Sequence, residues 1–354
     1  MSPKILITGA AGGGSLVADF LAGDSTVVQK DQIIAAVRTK EQAKALSNIG
    51  INVLQVDLND ETAVIECVLQ HEINLVIHNA TSIDPMPALY LIKALGKRRD
   101  VTKGETYFVH TSGMSAFYES AGWNHGEVKD TDLVFDLEKQ ATGAFPVRKT
   151  NMAVVEHAKA LSVNSFIVAP PLVYGRGTGA WNKLSTQLPS CISAGISQKI
   201  VHRFAGSATA KGVHISDLVA FYRLLLEGIL QKQSLPSGEL GYYFPLAHDL
   251  NWGEALAHVA VALNARGLVT DSKARIWASD EVAAQALHIP LTFLHILYNS
   301  SSKSIAENKY KLGWEPKWNK ERFLQSMDDE VQAVIEANGA RSSLLDSVYN
   351  SVAR

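Results

Sequence analysis

The sequence has little cysteine and no excess of basic charge, and each shortage excludes a class of protein. Only Cys67 and Cys191 occur among 354 residues, too few for a disulfide framework or a cysteine metal site. This usage fits a reducing compartment. Lysine and arginine total 33 against 35 acidic residues, so a net charge of −2 provides no basic field for nucleic acid or acidic lipid.

Long apolar runs are also missing. The longest stretch outside the predicted strands, residues 287–298, is interrupted by His288, Pro290 and His295. It is shorter than the ~20 residues that a membrane-spanning helix requires. The chain passes from Lys4 straight into an apolar run, without the pattern of a signal peptide. We therefore expect a soluble, cytoplasmic protein with no membrane or nucleic-acid partner.

Two kinds of catalytic site lack their sequence signatures. The eleven histidines are scattered, none is paired at the i, i+4 spacing of a zinc helix, and no carboxylate cluster recurs. The segment Thr111-Ser112-Gly113 lacks the leading glycine of the Gly-x-Ser-x-Gly turn of serine hydrolases. We expect neither a metal site nor a serine-hydrolase site.

What is present is an alternation of apolar runs and amphipathic segments. Hydrophobic residues make up 47% of the chain and charged ones 19%, enough for a sizeable core. The near-continuous apolar character of the runs predicts strands that are covered on both faces of a parallel sheet. The predicted strands are residues 5–8, 33–37, 52–55, 75–78, 107–111 and 165–169. The predicted helices between them include residues 41–49, 60–70 and 149–161.

After residue 175 the pattern changes to isolated apolar positions, a helix over 215–230, a short strand over 242–246 and helices from 251 onward. The fold predicted is an α/β, doubly wound parallel sheet of the Rossmann type with a smaller, mostly helical C-terminal lobe. The first unit comprises 1–175, with 211–248 returning to it, and the lobe comprises 176–210 and 249–354. Ligands of such sheets bind at the carboxyl ends of the strands.

A glycine-rich turn follows the first strand and precedes a helical pattern. Gly9, Gly12, Gly13 and Gly14 would let the backbone turn tightly and approach a pyrophosphate at the helix N-terminus. A glycine-rich turn alone is also compatible with a flexible loop. Because a strand precedes it and a helix follows, nucleotide binding is the better interpretation.

The ends of the next strands suggest which dinucleotide is bound. Arg38 and Lys40 follow the second strand, where an acidic residue would favour NAD and an arginine favours the 2′-phosphate of NADP. A solvated strand end is the alternative for Arg38. Asp57 offers a carboxylate to the adenine amino group, and small residues follow the fourth strand where a ribose could lie close. The predicted cofactor contacts at these two ends are Asp57, Leu58, Asn79, Ala80 and Thr81.

The order of these parts resembles the extended, epimerase/dehydratase-like branch of the short-chain dehydrogenase/reductase superfamily, over most of the chain. The motifs that carry the resemblance are Thr8-Gly9-x-x-Gly12, Asp57-Leu58, His78-Asn79-Ala80, Thr111-Ser112-Gly113, Lys149, the block 170–175 and the block 213–218. The resemblance implies a nicotinamide cofactor contacted by Pro170, Val173 and Lys149, and a homodimer paired through the helices over 86–97 and 149–161. Val154, Val155 and Ala158 would form part of that seam, unless they cover the sheet of their own chain.

The catalytic motif of that family is altered. Its Tyr-x-x-x-Lys is represented by Phe145 and Lys149, and a phenyl ring transfers no proton. Ser112 and Ser115 are the available substitutes for the family's carbonyl-orienting hydroxyl, and Tyr118 is the first alternative proton donor. Tyr174 and His214 are weaker alternatives, because a cleft-lining tyrosine and a structural histidine explain them equally well.

Two functions remain open from the sequence. The first is an NADP(H)-dependent oxidoreductase that acts on a carbonyl or alcohol of a small, apolar or aromatic molecule. The second is a non-redox enzyme of the same fold (an isomerase, dehydratase or cyclase) or a nucleotide-sensing binding protein. Phe145 is the residue that separates them, because redox turnover in the family needs the hydroxyl that this position lacks.

Overall fold

The structure is a computed structural model that describes residues 3–10, 16, 27–48, 50–179, 181–206 and 208–338. A seven-stranded sheet, in the order β11-β7-β5-β4-β1-β2-β3, organises the first unit, and all its strands pair in parallel. Its strands are β1 (Lys4–Thr8), β2 (Ile33–Val37), β3 (Asn52–Gln55), β4 (Ile73–His78), β5 (Tyr107–Thr111), β7 (Asn164–Val168) and β11 (Tyr242–Tyr243). The predicted doubly wound fold is therefore confirmed.

Helices cover both faces of this sheet, which is why its strands are apolar throughout. The helices of the first unit are α1 (Lys40–Ser47), α2 (Glu61–Gln70), α3 (Met86–Thr102), α4 (Val134–Gln140), α5 (Pro146–Ala160) and α7 (Ile215–Leu230). One apolar cluster joins a sheet face to α2, α3 and α5, and a second joins the opposite face to α1 and α7. Short 3-10 helices span Lys30–Gln32, Met114–Phe117, Glu119–Ala121 and Gly238–Leu240.

Local sequence signals explain where several helices begin. The Thr39 hydroxyl accepts a hydrogen bond from the Gln42 backbone N–H, and the Gln42 side-chain oxygen accepts one from the Thr39 backbone N–H, which forms a capping box at α1. Asp60 caps α2 through the Ala63 backbone N–H. Helix α5 begins at Pro146, a residue suited to a first helical turn because its missing N–H would have no partner there.

The lobe has its own apolar core. Its helices are α6 (Gln187–Gln198), α8 (Trp252–Ala265), α9 (Asp280–Ala286), α10 (Leu291–Tyr298), α11 (Asn308–Lys311), α12 (Lys320–Gln325) and α13 (Met327–Glu336). The strands outside the seven-stranded sheet are β6 (Val128–Lys129), β8 (Leu172–Tyr174), β9 (His202–Arg203), β10 (Thr209–His214), β12 (His248–Asn251), β13 (Arg275–Ile276) and β14 (Ser304–Ile305). The division into two units remains a prediction, and Leu312 and Trp314, assigned to the lobe, pack in the cluster with α7.

The residues predicted to form the dimer interface instead cover the sheet of their own chain, which was the alternative that the sequence left open. Val154, Val155 and Ala158 of α5 are fully buried against the sheet and α3 of their own chain. These three side chains are therefore not available to a second copy, and homodimer formation remains a prediction. Among the described helices, none is both long and apolar enough to cross a bilayer.

Two histidines lie side by side in the centre of the sheet. His78 of β4 and His110 of β5 are register partners, and their rings stack 5.7 Å apart. His78 Nδ1 shares a 2.8 Å hydrogen bond with the Thr8 hydroxyl, whereas neither ring nitrogen of His110 has a hydrogen-bond partner among the residues that the structure describes. Burial lowers the pKa of His78 to about 4 and holds the pKa of His110 well below its ordinary value. Both rings are therefore neutral in the folded protein.

This pair predicts an acid-sensitive fold. A histidine whose folded pKa lies below its unfolded pKa takes up protons on unfolding, so stability is complete above about pH 6.5 and falls as the pH approaches 4. The loss for His78 is about 3 kcal/mol over that window. We expect the free energy of unfolding in urea to fall with that slope, and His110→Phe to weaken the slope. The exposed His258→Gln is the control, and equal slopes in all three proteins would contradict the prediction.

Candidate active site

A cleft of about 380 Å³ opens at the carboxyl ends of the sheet strands, between the sheet and the lobe. Its sheet side is formed by the ends of β4 and β5 and by the segment around β8, and its lobe side by residues 182–187 and helix α10. The predicted site residues that line it are Asn79, Ser112, Tyr118, Pro170 and Val173. This is the edge where doubly wound folds bind their ligands.

Gly9, the first glycine of the predicted nucleotide-binding turn, lies against the end of β4. Gly9 has a φ of +64°, and a Cβ added to it would lie 2.6 Å from the Asn79 carbonyl carbon and 2.7 Å from the Ala80 nitrogen. No other residue type fits this contact, so Gly9 creates a close backbone cradle at the cleft. Gly12, Gly13 and Gly14 lie outside the described residues, and their predicted role is untested.

The ends of β2 and β3 hold the predicted contacts for the adenosine half of a cofactor. The backbone of Arg38 is fixed by Gln42 and Gln55, while its exposed side chain makes no ion pair with any described residue. Asp57 is exposed, and its Oδ1 accepts hydrogen bonds from the backbone and side-chain nitrogens of Asn59, both at 3.0 Å. Leu58 packs partly into the core. The guanidinium of Arg38 is thus free to meet an anionic group.

The end of β4 is shaped by local turns. The Thr81 hydroxyl accepts hydrogen bonds from the backbone N–H groups of Ile83 and Asp84, both at 3.3 Å. Ala80 is exposed, and neither Ala80 nor Thr81 lines the cleft, unlike Asn79. Thr81 therefore shapes this turn, and contact of either residue with a ribose remains a prediction.

The cleft floor contains a chain of polar groups that sequence reasoning missed. The Thr111 hydroxyl hydrogen-bonds both the side-chain oxygen of Asn79 and the hydroxyl of Tyr222 on α7. The Asn79 oxygen can only accept, so Thr111 donates to it and Tyr222 donates to Thr111. Burial raises the pKa of the Tyr222 phenol, which therefore stays protonated. The Tyr222 hydroxyl proton is used in the hydrogen bond to Thr111. Tyr222 therefore holds Thr111 and Asn79 in place and does not act as a proton donor to a ligand.

Two of the predicted catalytic residues, Ser112 and Tyr118, bring hydroxyls to the cleft that have no hydrogen-bond partner among the described residues. The Ser112 backbone N–H donates to Val168 at 2.8 Å, while its buried Oγ has no protein partner. The Tyr118 hydroxyl also has no partner in the described part of the chain, and the residue is only 8% exposed. Burial raises the pKa of this phenol above its ordinary value. Tyr118 is therefore a neutral hydrogen-bond donor and not a phenolate.

Arg148 holds the segment that carries Tyr118. Its guanidinium is 1% exposed and donates to the backbone carbonyls of Ala116 at 2.7 Å and Ala121 at 2.6 Å. It also donates to Thr142 at 3.0 Å and Gly143 at 3.3 Å, just before α5. These contacts enclose Tyr118 between two fixed points, so one buried cation ties its segment to the start of α5.

Of the two residues at the altered catalytic motif, Phe145 lies at the cleft and Lys149 does not. Phe145 lines the cleft, and its ring lies 6.4 Å from that of Phe293 on α10. Phe145 is the N-cap of α5, and its carbonyl accepts a 3.1 Å hydrogen bond from the Lys149 backbone N–H. Lys149 is exposed and does not line the cleft. A ribose contact by Lys149 remains a prediction.

The two weaker candidates have structural roles. The Tyr174 hydroxyl shares a 2.8 Å hydrogen bond with His248 Nε2 inside the lobe core. His214 caps α7 by accepting from the Ser216 backbone N–H, and its ring stacks on Trp318 at 3.7 Å. Neither residue lines the cleft, so we assign neither a catalytic role.

Solved structures share this architecture at low sequence identity. A dTDP-glucose 4,6-dehydratase from Bacillus anthracis, in complex with NAD, matches with a TM-score of 0.65 at 14% identity, over 94% of this chain and 98% of its own. UDP-glucose 4-epimerase from Thermotoga maritima, with UDP-glucose, matches at 0.61 and 15% identity over 94% and 99% of the two chains. UDP-glucuronic acid 4-epimerase from Bacillus cereus, with UDP-glucuronic acid and NAD, matches at 0.60 and 15% identity over 93% and 99%.

These similarities show that the chain shares the fold of the dehydratase and the two epimerases, in agreement with the fold that the motif resemblance implied. No protein-family model matches the sequence, and no curated protein matches it either.

The Arg148 contacts predict a local loss of order when the guanidinium is removed. Arg148→Met leaves four backbone carbonyls without their donor and should destabilise the fold by about 3–5 kcal/mol. Urea unfolding measures that loss, and hydrogen exchange should show residues 114–122 exchanging faster. The control Arg99→Met removes an exposed side chain and should change stability by less than about 0.5 kcal/mol. Unchanged exchange over residues 114–122 in Arg148→Met would contradict the prediction.

Proposed function

We propose that the protein binds NADP(H) and reduces the carbonyl group of a small apolar molecule, with Tyr118 as the proton donor. The observation that carries this proposal is the pair of unpartnered hydroxyls, Ser112 and Tyr118, in one apolar cleft at the carboxyl edge of the sheet. Structures with this fold include enzymes solved with NAD, which supports a nicotinamide dinucleotide as the cofactor.

The described residues fit such a cofactor. Gly9 leaves room for a close backbone approach at the end of β1, and Arg38 offers an unpaired cation at the end of β2. The 2′-phosphate of NADP is the anionic group that such an arginine binds. A bound nicotinamide would supply the hydride that a carbonyl carbon accepts. The chain itself must supply the proton and hold the carbonyl in place.

Tyr118 and Ser112 divide these two tasks. The carbonyl oxygen becomes an alkoxide as the hydride arrives, and a proton from the Tyr118 hydroxyl completes the alcohol. The Ser112 hydroxyl donates a hydrogen bond that orients the carbonyl. Solvent returns a proton to the phenolate after the product leaves. Because burial raises the pKa of Tyr118, the phenol is a donor at neutral pH and favours reduction over the reverse oxidation.

A second candidate keeps the nucleotide without redox turnover, as in a nucleotide-sensing binding protein or a non-redox enzyme. Phe145 and the exposed Lys149 favour it, because the paired phenol and lysine of the family motif are missing from the cleft. A change in nicotinamide absorbance with a panel of carbonyl compounds separates the two candidates. A protein that binds NADPH and leaves its absorbance unchanged would support the second.

Cofactor preference depends on Arg38. We expect wild type to bind NADPH more tightly than NADH, and Arg38→Ala to lose about 1.5–3 kcal/mol of NADPH binding with little effect on NADH. That loss is roughly ten- to a hundredfold in affinity. Calorimetric titration of both proteins with both cofactors measures it, with Arg99→Ala as the exposed-arginine control. Equal affinities for the two cofactors in wild type would refute the preference.

Catalysis should depend on Tyr118 and not on Phe145. Tyr118→Phe keeps the ring and should lower carbonyl reduction by about 10²–10⁴-fold. Phe145→Tyr should give no comparable gain, because Lys149 does not line the cleft. With a phenol pKa above the assay range, kcat/KM in wild type should stay level from about pH 6 to about pH 9. Full activity in Tyr118→Phe would exclude the assignment.

A further inference from the structure

The cleft is lined almost entirely by uncharged residues. Its described lining residues include no aspartate, glutamate, histidine or arginine, and the only charged one is Lys183. The apolar part of the lining includes two aromatic rings, Phe145 and Phe293, together with Ile296 and Leu297 of α10. A ligand that complements this surface is apolar over most of its area and carries a single negative charge.

Lys183 lies on the lobe side, in the segment between β8 and α6. Its backbone carbonyl accepts a 2.8 Å hydrogen bond from the Gly177 N–H, which fixes the position of this segment. Its side chain is exposed at the cleft and forms no ion pair with the residues that the structure describes. Two residues further on, Ser185 also lines the cleft, and its buried Oγ has no hydrogen-bond partner among the described residues. The same wall of the cleft thus contains two residues, Lys183 and Ser185, whose side chains can donate hydrogen bonds and have no acceptor among the described residues.

Two arginines of the lobe, Arg176 and Arg203, have partners outside the cleft. Arg176 forms a 2.6 Å ion pair with Glu336, and Arg203 donates to the Phe204 carbonyl at 3.1 Å. A diphosphate is normally bound by several cations or by the planar fork of an arginine. One lysine supplies one positive charge, which balances one carboxylate. The cleft is therefore better matched to an organic acid than to a nucleotide sugar.

We propose that the substrate is an apolar carbonyl compound bearing one carboxylate, and that Lys183, with Ser185, binds that carboxylate at the lobe end of the cleft. This inference rests on the proposed function for the carbonyl, but the acid subsite itself is independent of turnover. Lys183 acts on binding and specificity, while Tyr118 acts on the reacting carbonyl at the sheet end.

Binding of two non-reacting probes tests the subsite without requiring any reaction. 2-Naphthoate and 2-naphthamide have the same ring system and nearly the same shape, but only the first is an anion. Calorimetric titration of the NADP-loaded protein should give about tenfold tighter binding of the naphthoate, the size expected of one charge-assisted contact. The preference should shrink in high salt, because the ammonium is exposed.

Lys183→Met keeps the length of the side chain and removes its charge, so this variant should bind both probes equally. The control Lys97→Met removes an exposed lysine of α3 outside the cleft and should retain the wild-type preference. Equal binding of the two probes in wild type, an unchanged preference in Lys183→Met, or no binding of either probe would overturn the proposal. An intact preference without carbonyl reduction would instead refute the proposed function and leave the acid subsite standing.

Discussion

The buried guanidinium of Arg148 is the interaction on which the candidate active site depends. A fully buried cation is costly unless every donor is satisfied, and here backbone carbonyls from two separate segments satisfy it. The Tyr118 segment has only short 3-10 turns of its own and no regular hydrogen-bond ladder. Its place at the cleft therefore comes from Arg148, and the geometry of the proton donor is set from the neighbouring helix α5.

Burial decides the chemistry of the groups that face the cleft. Burial keeps Tyr118 protonated, and Lys183 is the only charged residue among the described lining residues. A neutral phenol in an apolar cleft donates a proton to developing negative charge, because the surrounding protein stabilises that charge poorly without it. The proposed reduction of a carbonyl and the proposed carboxylate subsite therefore follow from one property of the site, its low content of charge.

The sequence predicted the sheet well because apolar runs determine it. Residues 33–37, 107–111 and 215–230 have the predicted bounds, since strand and helix periodicity there is uninterrupted. The site was less predictable. Tyr222 meets Thr111 across a large sequence separation that no local pattern encodes. The resemblance also implied a cofactor contact by Lys149, but Lys149 is exposed and does not line the cleft.

Transfer of a labelled hydride tests the central claim most directly. The protein would be incubated with NADPH deuterated at the transferable position of nicotinamide C4 and with 4-oxo-4-phenylbutanoate, an aromatic keto acid of the proposed class. Hydride transfer places deuterium on the new alcohol carbon, which nuclear magnetic resonance detects without interference from the cofactor. The account predicts labelled alcohol in proportion to the NADPH consumed. Tight binding of NADPH with unlabelled, unreduced ketone would contradict it.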